Sequence, residues 1–330
     1  MCGTNTTLIG RKEFFYLKVL VTGGLGFIGS HVVDRLIRDG VETVIVDNLS
    51  GASGSFYKNP SAVLHKYDIQ DEALDDVFSR EKPDAVIHLA AQIDVRESQR
   101  NPLFDANVNI LGTLNVLRLC ETHSVHKIVY ASSAAVYGNP EYLSIDEMHP
   151  LNPESCYGVS KSVPEFYIRQ FASMHGLKYT ILRLANVYGP RQSSHGEAGV
   201  VSVFLDRMKD GKGLVIYGDG EQTRDFVYVE DVAKAFVNAV QTNGMVDNQT
   251  MNISCGVATS INTIVGMIGA TTGRNFLTTY QLERPGDILH SYLNNSKAQE
   301  LMSWSPDHDL KMGLEKTIVA RLTVGRAVDN

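Results

Sequence analysis

Thr22-Gly23-Gly24-Leu25-Gly26-Phe27-Ile28-Gly29 is the stretch that decides the fold. It follows a short aliphatic and β-branched run, Tyr16 to Thr22. It leads into Phe27, Ile28, His31, Val32, Leu36 and Ile37, spaced three and four residues apart as on one side of a helix. Two glycine patterns overlap: Gly24, Gly26 and Gly29 satisfy G-x-G-x-x-G, and Gly23, Gly26 and Gly29 satisfy G-x-x-G-x-x-G. Without Cβ atoms the chain can turn tightly there and let a pyrophosphate reach the helix N-terminus. Asp47 ends the next apolar run, eighteen residues beyond Gly29. A carboxylate at that place can hold an adenosine ribose 2′-hydroxyl and repels a 2′-phosphate, which favours NAD over NADP.

Outward from this loop the chain alternates. Val41–Val46, Ala62–Lys66, Ala85–Leu89, Lys127–Ala131 and Tyr179–Leu184 read as strands, and Asp71–Phe78, Asn107–Leu119 and Tyr157–His175 as helices between them. Continuous apolar strands separated by helices imply a parallel sheet covered on both faces, an α/β, doubly wound, Rossmann-type architecture. After Asn186 the rhythm is lost in a Gly-, Pro- and Ser-rich stretch. The expected organisation is a dinucleotide-binding domain over 16–186 with 226–255 returning to the sheet. A smaller mixed α/β lobe takes 187–225 and 256–330, and 1–15 form an N-terminal extension.

Composition narrows the function classes. Thirty Lys and Arg against thirty-seven Asp and Glu leave a net charge of −7 over 330 residues, unsuited to sequence-independent nucleic-acid binding. No apolar run approaches the ~18 residues of a membrane span. Cys2, Cys120, Cys156 and Cys255 lie far apart with no disulfide or zinc spacing, and no metal site is expected. The first fifteen residues lack a secretory apolar core, so a cytoplasmic location is expected.

Tyr157-Gly-Val-Ser-Lys161 puts a phenol and an ammonium four residues apart, on one helix face. The strand before that helix ends in Ser132-Ser133, which brings hydroxyls to the carboxyl edge of the sheet, where open α/β folds bind ligands. A phenol with an ordinary pKa of ~10 is a poor base at neutrality, and a neighbouring cation lowers it.

Taken in order, T-G-G-x-G-x-I-G, V-D-N-L-S-x-G (Val46–Gly51), Asp68-Ile69, H-L-A-A-Q (His88–Gln92), S-S-x-x-V-Y-G, Y-x-x-x-K, L-R-x-x-N-V-Y-G-P-R (Leu182–Arg191), R-D-F-V-Y-V-x-D (Arg224–Asp231) and R-P-G-D (Arg284–Asp287) make a specific set. Over roughly residues 16–310 the chain resembles the extended short-chain dehydrogenase/reductase family, and within it the UDP-sugar 4-epimerases. The resemblance implies a bound NAD that is reduced and reoxidised in each turnover. Tyr157 takes the proton of the sugar 4-hydroxyl, Lys161 holds the nicotinamide ribose and tunes Tyr157, and Ser133 rather than Ser132 is the catalytic hydroxyl. NAD contacts fall on Gly23, Gly26, Phe27, Ile28, Asp47, Asn48, Ser50, Gly51, Asp68, Ile69, Ala90 and Asn109, with Ala91 and Gln92 adjoining.

On the sugar-nucleotide side the resemblance assigns Asn186, Arg224 and Arg284 to the diphosphate and Val215 and Tyr217 to the uracil. It assigns Gly199-Val200 to a helix opening near the phosphates, and Asp287 to the ribose or to arginine orientation. Ser291 falls at the position beside the sugar 2-substituent, where a small residue leaves room for an N-acetyl group. UDP-N-acetylglucosamine and UDP-N-acetylgalactosamine are therefore expected substrates beside UDP-glucose and UDP-galactose. The resemblance also implies a homodimer built on Asn107–Leu119 and Tyr157–His175. Three alternatives remain open on sequence. One is a sugar-nucleotide dehydratase, which needs an acid/base pair where Ala134-Ala135 stand; the others are a UDP-uronic acid 4-epimerase and a non-catalytic NAD or nucleotide-sugar sensor.

Overall fold

The computed structural model describes residues 17–51, 57–194, 199–242, 244–283 and 288–323. In chain order the first part runs β1 (Lys18–Thr22), α1 (Phe27–Arg38), β2 (Glu42–Val46), β3 (Val63–His65), α2 (Leu74–Glu81), β4 (Ala85–His88), α3 (Val95–Arg100) and α4 (Pro102–Ala106). A π-helical turn (Asn107–Leu111) leads into α5 (Gly112–Thr122), followed by β5 (Lys127–Ser133), α6 (Cys156–His175) and β6 (Lys178–Leu184). Then come β7 (Asn186–Tyr188), α7 (Val200–Lys209), β8 (Leu214–Tyr217), β9 (Thr223–Arg224), β10 (Phe226–Tyr228), α8 (Val229–Gln241), β11 (Gln249–Ile253), β12 (Thr259–Ser260), α9 (Ile261–Thr272), β13 (Thr278–Gln281), α10 (Ser296–Met302) and α11 (Leu310–Thr323).

Seven strands form one sheet in the order β11-β6-β5-β4-β1-β2-β3, and every pairing in it is parallel. The chain winds outward from β1 in both directions, so the strand order reverses between β1 and β4. Alternation within the strands feeds two cores. Val19 and Val21 join Val32, Leu36, Val232 and Phe236 on the α1 and α8 side. Leu20 joins Phe78, Val116, Leu117 and Ile168 on the side of α2, α5 and α6. Both faces of the sheet are thus dry, as all-parallel sheets require. Truncating a fully buried side chain such as Leu36 to alanine costs about 2–5 kcal/mol.

A third core holds Phe204, Leu214, Ile216, Phe226, Ile264 and Leu314. It is built on two-stranded pairs, β10-β7, β12-β9 and β13-β8. Of the segment expected to return to the sheet, Gln249–Ile253 does so beside β6. Phe226–Tyr228 instead pairs with Asn186–Tyr188. The helix expected at Asn107–Leu119 is interrupted by the π turn and extends to Thr122. The acidic helix starts at Leu74 rather than Asp71, because Asp71 is spent in a turn: it accepts the Asp68 amide on its carboxylate and the Leu74 amide on its carbonyl. Residues 1–16, Arg284 and Asp287 lie outside the described residues.

Candidate functional site

The glycine loop closes on the sheet edge. Gly23 has φ +69°, and a Cβ there would stand 2.7 Å from the Ala90 backbone nitrogen. A Cβ on Gly29 would collide with the Gly23 carbonyl oxygen. Both positions thus need glycine, and the backbone they leave bare is the cradle that a pyrophosphate fits. The Asp47 carboxylate accepts the amides of Leu25, inside the loop, at 3.0 Å and of Leu49 at 2.9 Å. It ties the end of β2 to the turn before α1, whose first residues are Phe27 and Ile28.

Asn48, Ser50 and Asp68 form one polar net beside it. Asn48 Nδ2 donates to Asp68 at 2.6 Å, and Ser50 donates to Asn48 Oδ1 through both its amide and its hydroxyl. Burial pushes the Asp68 carboxyl up, but hydrogen bonds from Gln70 and Asn48 prevail and lower it, so it stays ionised. Ile69 is buried and faces Gly112, where a Cβ would come 2.6 Å from its side chain.

Behind the cradle, His88 joins β4 to its neighbours. Its Nδ1 lies 2.7 Å from Thr22 Oγ1 and its Nε2 lies 3.0 Å from Thr113 Oγ1. Thr113 donates its own proton to the Asn109 carbonyl at 2.6 Å, so it must accept from His88. Burial, with Lys161 nearby, pulls His88 down to about 3, and the ring is neutral with its proton on Nε2. His88 stacks on Tyr130 at 5.8 Å, and the Lys161 ammonium lies 4.7 Å from the Tyr130 centroid.

Helix α6 carries the Tyr157/Lys161 pair. Ser155 caps it by accepting the Gly158 amide at 3.0 Å, and Ser98 Oγ accepts the Tyr157 amide at 3.0 Å. A Cβ on Gly158 would stand 2.7 Å from the Ala135 carbonyl, so the helix start abuts the turn after Ser133. The Tyr157/Lys161 end of α6 therefore meets the carboxyl end of β5. Lys161 is 4 % exposed, and its ammonium sits over the face of the buried Tyr130 ring. Burial pulls it down to about 8 against the opposing charges of Asp105 and Glu165. A buried ammonium at the sheet edge is suited to the acceptor hydroxyls of a nicotinamide ribose. The loop cradle and this ammonium together fit NAD.

The two serines separate cleanly. Ser132 Oγ donates to Glu165 at 2.6 Å and is buried. Glu165 is itself locked to Arg183 at 2.9 and 2.6 Å and to Arg169 at 2.9 Å. Ser133 Oγ accepts the Ala135 amide at 3.2 Å, which leaves its O–H to donate elsewhere. Asn109, expected at the cofactor, spends its amide within the protein. Its Nδ2 faces the Gln92 carbonyl, Asp105 and Ser160, and its Oδ1 accepts the Gln92 amide at 2.8 Å. The Ala90 amide is bonded to Thr22 Oγ1 at 3.2 Å.

On the other side, three expected substrate residues lie on adjoining backbone. The Asn186 amide donates to the Asp225 carbonyl at 2.9 Å, next to Arg224, and the Ser291 amide donates to the Thr223 carbonyl at 3.2 Å. Arg224 Nη1 donates to Thr223 O at 2.8 Å. Leu293, two residues beyond Ser291, packs with Val136 and Tyr137 of the Ser133 turn. Val215 and Tyr217 share the half-buried face of β8, and Val200 opens α7 behind Gly199. Sequence reasoning missed the roles of Asp105, Gln92 and Asp225. Gln92 stood inside a quoted motif; the burial of Asp105 and Asp225 left no local signal.

A parallel sheet with a glycine cradle at its switch point and a tyrosine–lysine pair at its carboxyl edge defines a dinucleotide-dependent enzyme of the Rossmann class. Residues 19–254 match the model of the NAD dependent epimerase/dehydratase family, and the chain belongs to that family. It is 45 % identical to a putative UDP-glucose 4-epimerase of Methanocaldococcus jannaschii over 301 residues, 91 % of this chain and 97 % of that one. It superposes on the UDP-glucose 4-epimerase of Thermotoga maritima, solved with UDP-glucose, with a TM-score of 0.90 at 40 % identity, covering 94 % of this chain and 100 % of that one. A UDP-N-acetylglucosamine 4-epimerase of Methanobrevibacter ruminantium, solved with UDP-N-acetylmuramic acid, gives 0.88 at 35 % identity, covering 93 % and 99 %.

Proposed function

We propose that this chain is an NAD-dependent UDP-hexose 4-epimerase, inverting C4 through a transient 4-keto sugar. The observation that carries the reading is the buried Lys161 ammonium on the Tyr157 helix, at the sheet edge where the glycine cradle opens. NAD, when bound, supplies reversible hydride exchange with C4. The protein must then take one proton from the 4-hydroxyl and return it to the same oxygen once C4 has regained its hydrogen on the opposite face. Tyr157 does this as a phenolate. Lys161, with its pKa near 8, is mostly charged at neutral pH and favours the ionised phenol beside it. Ser133 directs its free O–H to the sugar oxygen. Ala134 and Ala135 follow it, and neither can protonate a leaving hydroxyl, which argues against dehydration.

Arg224 and Asn186 bind the diphosphate by charge-assisted and amide hydrogen bonds, joined by Arg284, while Asp287 contacts the ribose or orients an arginine. Val215 and Tyr217 flank the uracil, and Val200 lies near the phosphates. The small Ser291 leaves room for a 2-N-acetyl group, so UDP-N-acetylhexosamines are substrates beside UDP-glucose and UDP-galactose; the likeness to a UDP-N-acetylglucosamine 4-epimerase supports this. Residues 16–186 with 226–255 serve as the NAD domain and the remainder as the sugar-nucleotide lobe.

Leu111, Val159, Phe166 and Met174 expose apolar surface around α5 and α6, which suits a homodimer. No described helix is long and apolar enough to cross a membrane. The thiols of Cys120, Cys156 and Cys255 are free, as in a reducing cytoplasm. The test is purified protein with UDP-galactose and no added oxidant or reductant. UDP-glucose is the expected product; a 4-keto-6-deoxy product, or none, overturns the reading.

A further inference from the structure

We propose that Asp105 is a positioning residue of this site, the buried counter-charge of Lys161 and the pin that holds α6 against the loop after β4. The proposal rests on the role given to Lys161 above.

Asp105 lies in α4 and is 1 % exposed. Its Oδ1 accepts from Gln92 Nε2 at 2.9 Å and from Asn109 Nδ2 at 3.2 Å. Asn109 Nδ2 also faces Ser160 Oγ at 2.9 Å, and Ser160 Oγ donates to the Tyr157 carbonyl at 3.1 Å. A polar chain thus runs from Asp105 to the turn of α6 between Tyr157 and Lys161. The π turn makes it possible: the wider coil at Asn107–Leu111 presents Asn109 to Gln92 and to Ser160 together.

These hydrogen-bond partners of Asp105 are neutral, and no cation among the described residues forms an ion pair with it. A buried carboxylate without a cation is costly, and so is a buried ammonium without an anion. Glu165, the other carboxylate near Lys161, is already matched by Arg183 and Arg169. Asp105 is not, and its charge is the larger of the two that hold Lys161 protonated against burial. The other titratable groups facing Lys161 are neutral His88 from β4, Tyr130 from β5 and Tyr157 from its own helix. Arg96 and Glu97 from α3, Glu121 from α5 and Arg183 from β6 are the charges on further elements packed against α6.

The experiment follows Lys161 directly, by the ¹³Cε titration of lysine-labelled full-length protein, with Lys161→Arg to assign the resonance. In Asp105→Asn, a near-isosteric change, the Lys161 pKa is expected to fall by about one unit. Both limbs of the pH profile of kcat should slide to lower pH together, because losing an anion favours phenolate and free amine alike. A merely structural defect lowers the profile without moving its limbs. Should Asp105→Asn not fold, Lys161→Met offers the reciprocal reading, in which the Asp105 carboxyl ¹³C titration moves up by a similar amount. An unmoved Lys161 in Asp105→Asn, or an unmoved Asp105 in Lys161→Met, overturns the proposal. Both titrations read the coupling without turnover, so a protein that does not epimerise would sink the functional reading and leave this one standing.

Discussion

The carboxyl edge of the seven-stranded sheet and the ribbon of short strands around Arg224 are assembled by different physics. At the sheet edge each proposed site residue sits within a few residues of the element that aims it: Gly23 after β1, Asp47 after β2, Ser133 at the end of β5, and Tyr157 at the start of α6. The ribbon is assembled from distant segments. One carboxylate, Asp225, accepts amides from Cys255 and Gly256 at 2.9 Å and from Leu293 at 3.2 Å, binding three stretches together. Edge residues are placed by local backbone rules, and ribbon residues by long-range closure. Changes at the edge should therefore abolish function outright, whereas changes in the ribbon should grade it.

The largest effect is expected from Gly29→Ala. Its Cβ meets the Gly23 carbonyl, so the cradle cannot close, and NAD should no longer copurify; retention of bound NAD would break the contrast. Lys161→Met comes next, with turnover falling roughly a hundredfold or more while the fold persists; circular dichroism and initial rates separate the two. In the ribbon, Ser291→Tyr should lower the ratio of activity on UDP-N-acetylgalactosamine to that on UDP-galactose by about tenfold or more. An unchanged ratio would remove Ser291 from substrate selection.

The smallest effect concerns Asp225, whose carboxyl is pushed up to about 6 by burial against its three amide donors. Because the folded state holds a proton that the unfolded state has lost, this group's contribution to stability falls as pH rises from about 4 to 6. The slope is at most about 1.4 kcal/mol per pH unit. Denaturant unfolding of Asp225→Asn relative to the natural chain should show that pH-dependent gap; a gap constant in pH contradicts it.

Legibility in the sequence follows the same division. The glycine loop, the strand–helix rhythm and the Tyr157/Lys161 spacing are short-range patterns, and the parallel sheet follows from them. The interruption at Asn107–Leu111 is not visible as a pattern, because a π turn keeps the apolar residues of an ordinary helix and differs only in which carbonyl each amide meets. Phe226–Tyr228 reads as any apolar strand; its pairing with Asn186–Tyr188 rather than with the main sheet is decided by packing against Phe204 and Leu314. The resemblance already prefers Ser133 to Ser132, and the buried Glu165 beneath Ser132 gives the physical reason that no local pattern carries. Asp105 sits in an unremarkable Pro-Leu-Phe-Asp-Ala run, where burial cannot be read from its neighbours.

In the proposed function the Tyr157 phenol, beside a buried ammonium, exchanges the proton of the sugar hydroxyl. The most direct measurement is the rate of UDP-galactose conversion by Tyr157→Phe that still folds and still holds NAD. A loss of roughly a thousandfold or more is expected; conversion near the rate of the natural chain would contradict the role of Tyr157.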